Sequence, residues 1–153
     1  MYIYHFKNPH LLLFSTLKAS LTLNVIIAGF LITGGSPIAT AGYSVEVYNP
    51  HSGSHCKLPD LPGDVRFYHS HCGHLLCGGY SSSTSCLLLN PTTGQFTTTS
   101  VTLRQERYGH LCWEGDEGDV LLMGGEDSGT TTELVSADGS TSSDSFTLEY
   151  DTR

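Results

Sequence analysis

Phe30-Leu31-Ile32-Thr33-Gly34-Gly35, Leu75-Leu76-Cys77-Gly78-Gly79 and Val120-Leu121-Leu122-Met123-Gly124-Gly125 are three apolar runs that each end in a glycine pair. The second glycines stand at 35, 79 and 125, a spacing of 44 and then 46 residues. Self-similarity at a fixed period of this size marks a stack of supersecondary units. Working outward, each pair leads through a Ser/Thr/Gly-rich turn to a second extended run: Val45-Glu46-Val47-Tyr48, Cys86-Leu87-Leu88-Leu89 and Glu133-Leu134-Val135-Ser136. Those runs break at Asn49-Pro50-His51-Ser52-Gly53, Asn90-Pro91-Thr92-Thr93-Gly94 and Ala137-Asp138-Gly139, where Asn, Pro, Asp and Gly supply turn geometry.

A third extended run is expected after each turn, around Cys56-Lys57-Leu58, Phe96-Thr97-Thr98-Thr99 and Phe146-Thr147-Leu148-Glu149. An arginine comes next, at Arg66, Arg107 and Arg153. The first two open Arg-x-x-His steps, Arg66-Phe67-Tyr68-His69 and Arg107-Tyr108-Gly109-His110, that lead by another strand back to the glycine pair. One unit is therefore four short strands. A small twisted sheet cannot bury both faces alone, so such units stack around an axis, each covering the next. Glycine pairs suit a bend pressed against a neighbouring sheet, where side chains would clash.

On these motifs, residues 25–153 resemble the kelch repeat family. The resemblance implies an all-β fold: kelch-type β-propeller blades of four-stranded antiparallel sheets, about three of them and incomplete, with residues 1–24 as an extension or signal-like segment. The family's third strand usually closes with Trp; the corresponding places here hold Cys56 (allowing one inserted residue), Phe96 and Phe146. The WD40 propeller has a similar period, but the chain has no Trp-Asp step. Propellers close with about four to eight blades, so three glycine pairs suggest an excerpt of a larger ring. Its exposed end sheets would leave it marginal or aggregation-prone alone.

Composition agrees. Only 14% of the 153 residues are charged, while Gly numbers 17 and Ser and Thr are abundant, which suits strands and turns. A formal charge of −8 and the lack of a basic stripe argue against nucleic acid and against an anionic membrane surface. The apolar stretch from Ala19 to Thr33 carries Ser20, Thr22 and Asn24 and falls short of a membrane span. Lys7 followed by Leu11–Leu17 fits a secretory signal somewhat better, with Ala39-Thr40-Ala41 resembling a cleavage site, although cutting there would remove the first glycine pair.

Five cysteines, Cys56, Cys72, Cys77, Cys86 and Cys112, leave at least one unpaired within the chain. Cys77 and Cys86 flank a turn and could meet across a hairpin, which would favour a secreted home over a cytoplasmic one. The alternative is that strand cysteines are small buried apolar residues.

Two clusters invite a metal reading. In His69-Ser70-His71-Cys72-Gly73-His74, strand alternation puts His69 and His71 on one face and Cys72 and His74 on the other, which does not converge four ligands on one ion. Glu114-Gly115-Asp116-Glu117-Gly118-Asp119 is rich in oxygen donors but lacks EF-hand spacing and reads as a solvated hairpin loop. No nucleophile motif, phosphate loop or dinucleotide fingerprint is present. The expectation is therefore a non-catalytic module that binds a protein partner, with no cofactor and no metal. The alternative is a fragment of a secreted, galactose-oxidase-like propeller enzyme. That second resemblance implies a copper site of Tyr and His ligands with a Cys joined to a Tyr, positions this sequence does not identify.

Overall fold

A computed structural model describes residues 30–33, 43–63, 66–81, 84–126 and 128–149. Residues 1–24, Gly34, Gly35, Ala39-Thr40-Ala41 and Arg153, on which expectations were placed, lie outside the described residues. The described chain is built of strands alone: β1 Phe30–Thr33, β2 Val45–Tyr48, β3 His55–Leu58, β4 Ser70–Cys72, β5 Leu75–Cys77, β6 Ser85–Asn90, β7 Gln95–Thr102, β8 Leu111–Glu114, β9 Val120–Met123, β10 Thr131–Val135 and β11 Ser142–Thr147. They form three antiparallel sheets in simple meander order, β1-β2-β3, β4-β5-β6-β7 and β8-β9-β10-β11. These are three propeller-type blades, hereafter blades 1, 2 and 3.

The blades stack face on face. Leu31, Val45 and Val47 of blade 1 and Leu61 beyond it close over Leu76, Leu87, Leu89 and Phe96 of blade 2. On its other side blade 2 presents Leu75, Cys77, Cys86 and Val101 to Val120, Leu122 and Val135 of blade 3. The period-2 alternation of each strand thus feeds two different cores. Blade 2, covered on both faces, reads as continuous Leu and Cys rather than as alternating apolar and polar residues.

The repeat motifs are the parts of this stacking that cannot vary freely. Arg66 donates from Nη1 to the carbonyls of Gly78 (2.8 Å) and Ser85 (3.1 Å), and from Nη2 to Ser85 Oγ. Arg107 repeats this one blade on, from Nη1 to Gly124 O (3.0 Å) and Thr131 O (3.1 Å) and from Nη2 to Thr131 Oγ1 (3.0 Å). Each planar guanidinium therefore ties the glycine pair to the start of the next strand. Gly78 has φ +65°, and a Cβ there would meet the carbonyl of Arg107 and, at 2.8 Å, the His110 ring of the next blade. A Cβ on Gly125 (φ +102°) would lie 2.9 Å from His110 Cβ and from Tyr108 O. Left-handed backbone and close approach together leave only glycine.

The copied Asn-Pro turns have one mechanism. Asn49 Oδ1 accepts from His51 N (2.9 Å) and Ser52 N (3.3 Å), and Asn90 Oδ1 from Thr92 N (2.9 Å) and Thr93 N (3.2 Å). Gly53 and Gly94 follow at φ +69° and +70°. Asn-Pro-x-x-Gly is an Asx-turn closed by a left-handed glycine.

Two expectations need correction. The third strand of the last unit begins at Ser142, not at Phe146, because Gly139 (φ +65°) reverses the chain early and Val135 pairs with Ser142. The places matching Phe96, which pairs with Leu89, are then His55 opposite Tyr48 and Ser142 opposite Val135, rather than Cys56 and Phe146. Phe96 alone fills an intersheet gap there; Phe146 lies at the far end of β11 and is 51% exposed. Edge strand β11 is Ser-rich and almost wholly exposed, so it carries no apolar alternation to reveal its start.

Candidate functional site

The two Arg-x-x-His steps lie in the loops that enter blades 2 and 3. Each histidine bonds backwards to the preceding blade. His69 Nε2 meets Thr33 Oγ1 of blade 1 at 2.8 Å, and His110 Nε2 meets Ser70 Oγ of blade 2 at 2.5 Å. Thr33 and Cys77 occupy equivalent places before their glycine pairs. Cys77 is bonded to Cys86, so the hydroxyl for His110 comes from Ser70, which lies opposite Cys77 in register. Burial holds all of these rings neutral. His69 is lowered to about 4 by desolvation and then by Arg66 and His110; His110 is lowered to about 3 by desolvation and then by Arg107. His71, packed edge-on against Phe96 at 5.8 Å, is lowered to about 3, chiefly by burial.

The His69–His74 cluster disperses into structure. His69 and His71 are buried in the stack, His74 is exposed at a turn, and Cys72 forms a disulfide with Cys112 of blade 3. Among the described residues no group of three or more His, Cys, Asp or Glu side chains converges to hold a metal. The acidic segment 114–119 is the tight β8–β9 hairpin, closed by Gly115 N to Asp119 O at 2.8 Å. Asp119 Oδ1 accepts from Ala137 N at 3.0 Å, and the Glu114 carboxylate covers Gly73 of blade 2.

Cysteine pairing goes further than the sequence suggested. Cys77 and Cys86 join across the β5–β6 hairpin with Cα atoms 4.1 Å apart. Cys72–Cys112, with Cα atoms 6.1 Å apart, links β4 to β8 and so staples blade 2 to blade 3. Cys56 is free and exposed on β3.

The loops that enter blades 2 and 3 and the turn after Gly79 together assemble an aromatic cluster. Phe67 and Tyr80 stack with centroids 5.0 Å apart and planes 23° apart. Tyr80 meets Tyr108 edge-on at 5.5 Å, and Phe67 meets Tyr68 edge-on at 5.4 Å. Tyr68 is 48% exposed and Tyr80 60%. Backbone bonds fix the platform: Tyr80 N donates to Phe67 O (2.9 Å), Gly79 N to Arg107 O (2.9 Å) and Gly109 N to Tyr68 O (2.7 Å). Tyr68 has φ 60°, while its repeat counterpart Gly109 has φ 65°. A bulky residue held in left-handed backbone costs of order 1–3 kcal/mol and persists where its position is over-determined by the surroundings. Sequence reading quoted Phe67, Tyr68 and Tyr108 as parts of a framework step. The signal missed was Tyr68 standing where the next unit has glycine.

No family model and no curated protein matches the sequence. Among solved structures the chain is similar to a novel fungal alcohol oxidase of the AA5 family with catalytic diversity, in complex with copper. The superposition has a TM-score of 0.58 at 18% identity and covers 76% of this chain and 28% of that one. At that identity the likeness is one of fold: propeller blades stacked in the same way.

Proposed function

We propose that the chain is a segment of a kelch-type propeller that works by binding, and that the Phe67–Tyr68–Tyr80–Tyr108 cluster is its contact surface for a protein partner. The observation that carries this is Tyr68, half exposed in left-handed backbone beside the exposed Tyr80. Tyrosines on a rigid platform lose little conformational entropy on contact, and for that reason they dominate binding surfaces. The two disulfides suit an oxidising compartment, so secretion is the home this reading favours.

The test is selection of binders from a displayed peptide library on the full chain, followed by titration against variants. Binders are expected to lose at least tenfold affinity on Tyr80→Ser or Tyr68→Gly and to keep it on Thr97→Ser, an exposed site on β7. Peptides that bind equally well to all three variants would show the cluster to be inert.

A second reading rests on the fold likeness to the AA5 oxidase: the chain as a segment of a secreted copper enzyme. The described residues do not fit the ligand set which that resemblance implies. Four of the five cysteines are in disulfides, the fifth is exposed on blade 1, and His69 and His110 are engaged between blades. Calorimetric titration with Cu(II) separates the readings. One tight equivalent, with peroxide formed on adding a primary alcohol, would favour the oxidase.

A further inference from the structure

The tyrosine surface continues from blade 2 to blade 3 by a fixed rule. Tyr80 follows the glycine pair of blade 2, and its backbone N–H donates to Phe67 O in the loop entering that blade (2.9 Å). Glu126 follows the glycine pair of blade 3, and its N–H donates to Tyr108 O in the same way (3.0 Å). The repeat therefore gives Glu126 the place beside Tyr108 that Tyr80 has beside Phe67. An aromatic pair on blade 2 is succeeded by an aromatic and a carboxylate on blade 3, and Tyr80 against Tyr108 joins the two at 5.5 Å. Glu126 is exposed, as is Glu106 in the loop that carries Tyr108.

Positive charge, in contrast, is held within the fold. Lys57, Arg66, Arg104 and Arg107 are the lysines and arginines among the described residues, and each is engaged. Lys57 pairs with Asp60 (3.0 Å) and Arg104 with Asp144 (2.9 Å). Arg66 is turned onto the carbonyls of Gly78 and Ser85. Arg107 is turned onto those of Gly124 and Thr131 and, at 3.5 Å, onto the Glu133 carboxylate. His69 and His110 of the same two loops are neutral and add no charge. Among the described residues neither Glu106 nor Glu126 is paired with a cation. Aromatic faces carry the negative part of the ring quadrupole and attract cations, so the exposed tyrosines and the two carboxylates favour the same sign of charge.

We infer that the segment this surface takes from its protein partner is basic, with an arginine or lysine side chain lying against the exposed tyrosines and its charge toward Glu126 and Glu106. The inference rests on the binding role proposed above and adds the chemistry of the partner. Arginine suits the surface better than lysine, because a planar guanidinium stacks on an aromatic face and still pairs with a carboxylate. An acidic segment would meet like charge here, which works against it.

The displayed-library selection on the full chain tests this, read by sequence and by salt. Binders that lose affinity on Tyr80→Ser are expected to carry arginine or lysine. Synthetic copies with citrulline in place of arginine, or norleucine in place of lysine, should bind about tenfold more weakly. Glu126→Gln should weaken these peptides by about threefold to tenfold, Glu106→Gln should act in the same direction, and both losses should shrink as salt is raised. Glu117→Gln, on the β8–β9 hairpin at the other end of blade 3, should change little, which separates a local site from the charge of the whole chain. Tyr80-dependent binders that are neutral or acidic, or that tolerate citrulline, overturn the inference and leave the tyrosine surface standing. So does an effect of Glu117→Gln as large as that of Glu126→Gln. Binders indifferent to Tyr80→Ser remove the surface itself, and the inference with it.

Discussion

His69, His71 and His110 are buried and neutral, held to about 4, 3 and 3 by desolvation above all. An unfolded chain would show the ordinary value of 6.5 for each. Between those values the unfolded chain binds protons that the folded chain refuses, so stability is complete above pH 6.5 and is lost as the pH falls toward the folded values. From pH 7 to 5 each ring costs about 2 kcal/mol, and the three together about 5 to 6. That is the scale of a small domain's whole stability, so urea midpoints should collapse over these two units. A flat profile from pH 7 to 5 would mean the rings are not buried in neutral form. At this scale the sequence was half legible. The recurrence of His69 as His110 marked both as framework, yet nothing local showed that each reaches a hydroxyl of the preceding blade. Those partners, Thr33 and Ser70, lie 36 and 40 residues away. Tyr68 was in plain view and was passed over, because a positive φ leaves no trace in composition.

Elements were read better than their joints. The glycine-paired strands β1, β5 and β9 and the runs after them follow from short apolar segments bounded by Gly and Asn-Pro. The start of β11 did not, since an exposed Ser-rich edge offers no apolar pattern to count. The Cys77–Cys86 hairpin bond was one of the alternatives left open, whereas Cys72–Cys112 depends on blade packing and could not be found by spacing. The two bonds differ in what they close: 9 residues within one hairpin against 40 between two blades. On loop-closure entropy alone the longer bond stabilises by about 4 kcal/mol and the shorter by about 2.5. Cys112→Ser should therefore lower the unfolding free energy more than Cys86→Ser, as measured by chemical denaturation at pH 7. Equal losses would mean that hairpin strain or residual structure outweighs loop length. Reducing agent should bring the unmodified chain below both single variants.

At the scale of the molecule, the distribution of cover predicts the distribution of stability. Blade 2 is buried on both faces, by Leu76, Leu87, Leu89 and Phe96 on one side and Leu75, Cys77, Cys86 and Val101 on the other. Among the described residues, blades 1 and 3 are each covered on one side only. In a stack whose units contact only their neighbours, stability is a sum of unit and seam terms, so the middle unit holds two seams and each end unit one. Amide exchange under native conditions should rank accordingly. The amides of β5 and β6 should open only with global unfolding, those of β9 and β10 earlier, and those of the exposed edges β3 and β11 first. If β9 is as protected as β5 even at high dilution, cover from neighbouring blades is not what sets local stability here.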